Sequence, residues 1–268
     1  MIEDNLIKLE QWFLQRKKTI TAFSGGIDST LVLYLSKMYL GKNGVGCISI
    51  SPSLKRKDYA FAVEFCDAHD ITLEVIETQE LLDENYYNNP SNRCYFCKNH
   101  LYMSLQKLNT KYPESVLING VNTNDLGDYR PGIKAADEHD VQSPLVDCDI
   151  DKAMVRELAQ HLDLPNWSKP ASPCLSSRIP YGNAVTLDKL AKIEAAEQLI
   201  NDMGFEDVRV RHYEEEARIE VPKDKLDQMA ILFPEISEKV KSLGFESCIL
   251  DTEGLVSGKL NRVLLNNE

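Results

Sequence analysis

The chain has 268 residues, with 30 basic and 42 acidic side chains, a formal net charge of −12 and 43% hydrophobic residues. That apolar content can bury a core, which excludes a disordered tail, and the length suits one large domain or two ordinary ones. No apolar run reaches the roughly 20 residues that span a bilayer. Residues 1–10 lack the apolar stretch of a secretory signal, so a cytoplasmic protein without a membrane partner is expected. The acidic balance argues against a protein that grips a nucleic-acid backbone. Seven cysteines (Cys47, Cys66, Cys94, Cys97, Cys148, Cys174 and Cys248) cannot pair off completely. In a reducing compartment they point to catalysis or metal binding rather than disulfides.

Residues 18–23 (KTITAF) read as a strand ending at Ser24-Gly25-Gly26. Residues 28–39 then carry Leu31, Leu35 and Met38 on a helical stripe. Residues 46–51, 71–77 and 115–119 read as further strands, and residues 58–69 and 151–161 as helices. Alternation of this kind predicts an α/β fold: a parallel sheet with helices on both faces and ligands at the carboxyl ends of its strands. Pro165, Pro170, Pro173 and Pro180 leave no room for a long regular element between residues 165 and 180. Beyond them the pattern changes. Residues 186–203 form an amphipathic helix on Leu187, Leu190, Ile193, Ala196 and Ile200, ended by Gly204. Residues 207–212 and 217–221 alternate like paired strands, with Glu214, Glu215 and Glu216 as a solvated turn. Residues 223–243 read as a helix that Pro234 must break or restart, and residues 247–251 as a last strand. The chain thus divides into residues 1–165, a Pro-rich loop at 166–182, and a smaller α+β domain at 183–268. That last part carries 11 basic and 18 acidic side chains.

The hexapeptide Ser24-Gly25-Gly26-Ile27-Asp28-Ser29 joins a strand to a helix. Two glycines let the backbone turn sharply against an anion, and successive N–H groups with a helix N-terminus supply positive potential. Ser24 and Ser29 add hydroxyl donors. Asp28 beside phosphates implies either a bridging Mg²⁺ or a helix cap. The GxxxxGK[ST] pattern of the P-loop is absent. SGGIDS resembles the signature of the PP-loop ATP pyrophosphatases, which adenylate a substrate oxygen and release pyrophosphate. Residues 122–135 (NTNDLGDYRPGIKA), residues 169–182 (KPASPCLSSRIPYG) and the VRVR…ARIE pattern over residues 208–220 narrow this. Together with AFSGGIDSTLV they resemble the LarE-type ATP-dependent sulfur transferases along nearly the whole chain. Such a resemblance implies a PP-loop domain with a C-terminal α+β domain, ATP and Mg²⁺ as cofactors, and a small nucleotide as substrate. The expected reaction converts carboxylates of pyridinium-3,5-biscarboxylic acid mononucleotide to thiocarboxylates, for a nickel-pincer nucleotide. A homo-oligomer that draws on sulfide or another sulfur donor is expected, with no nucleic-acid partner. A tRNA thiolase or an amidating ligase of the NAD-synthetase type shares the loop. The first needs a basic surface and the second has no use for convergent thiolates.

Cys174 sits in the irregular Pro-rich loop near Lys169 and Arg178, cations that favour the reactive thiolate. An inert buried cysteine is the alternative. Cys94 and Cys97 form a CxxC, a spacing that lets two thiolates meet one metal. A redox pair, or a zinc site completed by His100, fits the same spacing. The family resemblance favours the form in which Cys94, Cys97 and Cys174 hold a [4Fe–4S] cluster and leave one iron open for sulfide. In the other form of the family the cysteine corresponding to Cys174 gives up its own sulfur. Cys47, Cys66, Cys148 and Cys248 read as buried bystanders. By resemblance Arg209 and Arg211 hold the phosphate of the mononucleotide; Arg130 and Arg178, in the two family motifs, are candidates for substrate binding and catalysis through bidentate phosphate or carboxylate contact, with a surface arginine as the alternative. Arg209 and Arg211 lie two apart on one strand and so share a face, with a solvated face as the alternative. Asp125 and Asp128 are candidates to hold Mg²⁺ or to shape a turn.

Overall fold

The computed structural model describes residues 1–127, 129–256 and 258–265. The chain forms two compact units, one of residues 1–80 with 92–172, the other of residues 81–91 with 173–268.

The first unit opens with α1 (Ile2–Leu14), β1 (Thr19–Ala22), α2 (Ile27–Leu40), β2 (Gly44–Ile50), α3 (Arg56–Ala68) and β3 (Thr72–Glu77). A short helix, α4 (Glu84–Tyr87), belongs to the second unit. The first unit resumes with α5 (Arg93–Lys107), β4 (Val116–Ile118), α6 (Pro131–Glu138), α7 (Pro144–Asp147) and α8 (Lys152–His161). Its four strands are all parallel, in the order β3-β2-β1-β4. The α/β class expected from the alternation is what the chain adopts. Strand order reverses between β1 and β4, so the crevice for a ligand lies at their carboxyl ends.

Alternate side chains feed two apolar layers. Ile48 and Ile118 join Leu9, Phe13, Leu31, Leu35, Val155 and Leu158, from α1, α2 and α8, on one face. Ile20, Ala22, Val45 and Cys47 face Tyr102, Leu105, Ala135 and Ala136, from α5 and α6, on the other. A sheet covered on both faces explains why the strands read as near-continuous apolar runs. On α2 the expected stripe is too narrow. Leu31 and Leu35 are buried but Met38 is exposed, while Thr30, Val32, Leu33 and Ser36 are buried as well. The helix is enclosed on most of its circumference, which a single stripe does not describe.

The second unit is built from α4, α9 (Leu187–Asp202), β5 (Arg209–Tyr213), β6 (Glu216–Glu220), α10 (Leu226–Lys241), β7 (Ser247–Leu250) and α11 (Arg262–Leu265). β5 and β6 pair antiparallel across Glu214 and Glu215, and β7 adds in parallel to β6. Val210, Ala217 and Ile219 pack with Ala196 and Ile200 of α9 and Met229, Ile236 and Val240 of α10. Two expectations need correction. α10 runs through Pro234 without a break. The lost hydrogen bond is outweighed by buried Met229 on one side of it and Ile236 and Val240 on the other, which hold both halves against the sheet. Leu187 is exposed at the start of α9, so the buried stripe begins at Leu190 and includes Glu197.

Residues 81–91 join the second unit through backbone bonds from Gly182 N to the Asn89 carbonyl (2.9 Å) and Val185 N to the Tyr87 carbonyl (2.8 Å), and through two buried side chains. The Tyr86 hydroxyl lies 2.6 Å from the Ser176 hydroxyl. Asn89 Nδ2 lies within 3.2 Å of the Ile179, Pro180 and Asn183 carbonyls. Asn89 has φ 52°, the left-handed region that asparagine tolerates better than alanine. Asn89→Ala should therefore lower the unfolding free energy by about 2–4 kcal/mol, from stranded carbonyls and backbone strain together. Asn89→Gly should recover the backbone share. Denaturant titrations of the two variants measure the difference.

Candidate active site

The loop after β1 carries the anion nest. Gly25 has φ 72°, and a Cβ there would meet the Asp58 carbonyl at 3.1 Å and the Phe61 ring at 3.3 Å. Gly26 is the extended N-cap residue of α2, and its carbonyl accepts from Thr30 N and Thr30 Oγ1, both at 2.9 Å. The Ser24 and Ser29 hydroxyls lie 3.1 Å apart, and Ser24 N donates to Ser29 Oγ at 3.2 Å. The first turn of α2 leaves N–H groups without helical acceptors, pointing where an anion would sit. Ser24, Gly25, Gly26, Asp28 and Ser29 are thus gathered in one loop.

Several residues that the sequence does not flag hold this loop. Buried Asn166 donates from Nδ2 to the Gly25 carbonyl at 3.2 Å and to Thr30 Oγ1 at 2.9 Å. Lys169 pairs with buried Asp58 at 2.8 Å and lies over the Phe61 ring. Gly120, just after β4, packs so closely that a Cβ would lie 2.6 Å from Ser29 N and 2.8 Å from Asp28 C. Asp28 itself accepts from Lys152 at 2.6 and 2.8 Å and from Asn122 Nδ2 at 3.1 Å. These partners are up to 141 residues away in sequence, so no local pattern announces them.

Asp125 pairs with Arg130 at 2.7 Å. Burial nonetheless pushes the Asp125 carboxyl above its usual range, with Arg130 opposing and Asp28 adding to the rise. Asp128 lies outside the described residues.

Cys94 and Cys97 fall on α5, a helix the sequence reading left unassigned. Spaced three apart they share its face. Cys94 is exposed, and the buried Arg93 guanidinium reaches within 4.0 Å of its sulfur. In the second unit Cys174 is exposed at the start of a 3₁₀ turn, Leu175–Arg178. Its carbonyl accepts from Ser177 Oγ at 2.7 Å and from Arg178 Nη1 at 3.4 Å. Among the described residues no group of three or more His, Cys, Asp or Glu side chains is gathered as a metal would require.

Arg178 is fully buried. It forms a two-point ion pair with Glu197, at 2.7 and 3.3 Å, and also donates to the Pro173 carbonyl. Arg211 is buried too, pairing with Glu220 at 2.9 Å and donating to the Ser177 carbonyl at 2.7 Å. Arg209 is buried beside them. Burial, then Arg178, then Arg211 hold its guanidinium down at about 10. The three arginines thus form one buried cluster rather than a solvated strand face, and two of them grip the backbone around Cys174.

A parallel sheet with a glycine loop at its switch point, an anion nest and a charge-paired aspartate defines a PP-loop nucleotide-binding domain. A family model described as NAD synthase matches residues 7–96. Three relatives align with most of the chain. A pyridinium-3,5-bisthiocarboxylic acid mononucleotide synthase of Lactiplantibacillus plantarum is 34% identical over 92% of this chain and 90% of its own length. An uncharacterized protein of Synechocystis sp. is 42% identical over 98% of this chain and 99% of its own. Another, of Methanocaldococcus jannaschii, is 31% identical over 92% and 96%. The chain belongs to the LarE-type ATP-dependent sulfur transferases of the PP-loop superfamily.

Burial pushes the Cys47 and Cys66 thiols up to about 12, and Cys148 and Cys248 up to about 11. At pH 8 fewer than about one in a thousand of these groups is a thiolate. Brief alkylation of the native protein, mapped by mass spectrometry, should therefore mark Cys94 and Cys174 well before those four. In the unfolded chain the same thiols lose their protons near 9.0. Their contribution to stability is thus complete below about pH 9 and is lost as pH rises through the folded values. Gly120→Ala should weaken nucleotide binding and cost about 1–3 kcal/mol, because the atoms it meets are backbone. Calorimetric titration with ATP and thermal denaturation check both.

Proposed function

We propose that this chain converts a carboxylate of pyridinium-3,5-biscarboxylic acid mononucleotide to a thiocarboxylate, the direction of synthesis named for the L. plantarum relative. The observation that carries this reading is that likeness, 34% identity over 92% of the chain, together with an anion nest at the sheet's switch point. ATP lays its phosphates against residues 24–29, where backbone N–H groups and the Ser24 and Ser29 hydroxyls neutralise charge. A substrate carboxylate oxygen attacks the α-phosphorus. The bond to the β-phosphate oxygen breaks, and pyrophosphate departs with the electron pair. The resulting acyl-adenylate has a carbonyl that a sulfur nucleophile can attack, with AMP as leaving group. Asp28 and Asp125 are the carboxylates suited to Mg²⁺, which supplies charge neutralisation at the phosphates. Arg130 beside Asp125, and Arg209 and Arg211 in the second unit, are the groups for substrate carboxylate and phosphate.

Cys94 and Cys97 on one helix face, with the exposed Cys174, are of the right type and number to hold a [4Fe–4S] cluster. Such a cluster, with three protein thiolates, supplies an iron site at which sulfide can be carried. The proposal includes a homo-oligomer supplied with sulfide by a small donor. A second reading rests on Cys174 being exposed with its backbone fixed by Arg178 and Ser177. Its sulfur attacks the acyl-adenylate carbonyl and AMP leaves. Loss of the Cα proton then breaks the Cβ–Sγ bond, releasing the thiocarboxylate and leaving dehydroalanine. Buried Arg178 acts in either case as a positioning residue for that loop.

Anaerobically prepared protein should show a broad absorption near 400 nm (about this value for iron–sulfur charge transfer) and about four irons per chain. Cys94→Ser with Cys97→Ser should abolish both. Protein that stays iron-free after reconstitution, and whose Cys174 peptide loses the mass of hydrogen sulfide on turnover, would establish the sacrificial route. If substrate and ATP give no pyrophosphate, the function itself is wrong.

A further inference from the structure

Asp28 projects from the anion nest, yet its carboxylate is already occupied. Lys152 Nζ lies 2.6 Å from Oδ2 and 2.8 Å from Oδ1, and Asn122 Nδ2 lies 3.1 Å from Oδ1. The lysine's place is fixed by its own helix start. Asp151 caps α8 by accepting from Met154 N at 2.8 Å, and Lys152 N donates to Asn124 Oδ1 at 2.8 Å. Thr123 N donates to the Ile150 carbonyl at 3.1 Å, tying the same two segments together. The Asp125 carboxyl feels both Asp28 and Lys152 and is itself paired with Arg130. Two carboxylates and two cations therefore alternate beside the nest.

A partly exposed lysine–carboxylate pair is worth little to stability, so bracing the fold does not account for this arrangement. Its electrostatic consequence is larger. A bare Asp28 would repel an incoming polyphosphate, and Lys152 cancels that charge. A nucleotide that brings a divalent cation offers Asp28 a better partner than an ammonium group. The ammonium is then free, on a flexible four-carbon stem, beside the phosphates.

We propose that Lys152 is a catalytic residue for adenylation. It pairs with Asp28, a carboxylate that would otherwise be available to the nucleotide's divalent cation, and on exchange it would move onto the departing pyrophosphate. As the carboxylate oxygen bonds to the α-phosphorus, the electron pair of the breaking bond settles on pyrophosphate oxygen, and the Lys152 ammonium neutralises it without losing its proton. This rests on the reading that the chain adenylates a carboxylate.

The test uses Lys152→Met and Lys152→Arg in the full chain. Single-turnover pyrophosphate release should fall about 10²–10³-fold in Lys152→Met, the scale of losing one transition-state charge partner. Affinity for Mg-ATP, measured by calorimetry, should change far less, so the loss falls on kcat rather than KM. Lys152→Arg, which keeps the charge, should recover part of the rate. Without nucleotide, Mn²⁺ should bind Lys152→Met more tightly than wild type, by tenfold or more, read by electron paramagnetic resonance. Wild-type pyrophosphate release from a Lys152→Met protein of unchanged or lowered melting temperature would overturn the catalytic role. Unchanged Mn²⁺ affinity would overturn the exchange with the ion. Absence of pyrophosphate release from the wild type would instead overturn adenylation, and the Mn²⁺ comparison would still decide whether Lys152 competes with the ion for Asp28.

Discussion

A loop that keeps its N–H groups open for an anion cannot use them to hold itself together. The rest of the first unit's site follows from that constraint. The loop over residues 24–29 uses only its Ser24 and Gly26 N–H groups internally, on Ser29 Oγ and Ser24 Oγ, and is otherwise fixed through its carbonyls and side chains. Asn166 takes the Gly25 carbonyl, Thr30 takes the Gly26 carbonyl, and the two serines hold each other. Each of these contacts leaves the donors of the first helical turn free. The loop must also be shaped before ligand arrives, because positioning contributes to catalysis only if its entropy has already been lost. Close packing supplies that rigidity. The Asp58 carbonyl stands over Gly25 and Gly120 lies against Ser29, leaving no volume for a side chain at either glycine.

The parts of this arrangement written locally were legible in the sequence. A β-rich run, two glycines and a helical stripe identify the nest, since each feature reports on residues within one turn of itself. The partners were not legible. Lys152 and Asn166 lie 124 and 141 residues from the groups they bind, and neither breaks the local pattern of its own segment. α5 was missed for a related reason. Its residues Arg93, Tyr102 and Leu105 are buried at irregular spacing, and the CxxC within it reads as chemistry before it reads as helix. Pro234 shows the reverse case, a strong local signal overridden by apolar contacts on both sides. The attachment of residues 81–91 to the second unit rests on the Tyr86 and Asn89 side chains and on backbone bonds from Gly182 and Val185, and no period or composition reports such contacts.

Burial sets four of the seven thiols apart more firmly than sequence could. Desolvation keeps Cys47, Cys66, Cys148 and Cys248 protonated far above neutral pH, which denies them both nucleophilicity and metal binding. Cys94 and Cys174 are exposed. A protein that handles sulfur through chosen cysteines gains from silencing the others, because any thiolate can compete for an electrophile as reactive as an acyl-adenylate.

The second unit solves a different electrostatic problem. Arg178, Arg209 and Arg211 are buried together with Glu197 and Glu220, and Glu220 is shared with Lys259. Burying charge is costly unless it is paired, and Arg209 registers the cost as a guanidinium held down at about 10. Arg178 also donates to the Pro173 and Cys174 carbonyls and Arg211 to the Ser177 carbonyl, so the loop's shape depends on these buried cations. Cys174 is therefore exposed on a turn whose backbone is held by charges that are costly to bury, so any change that unpairs Arg178 or Arg211 moves the thiol as well as the core beneath it.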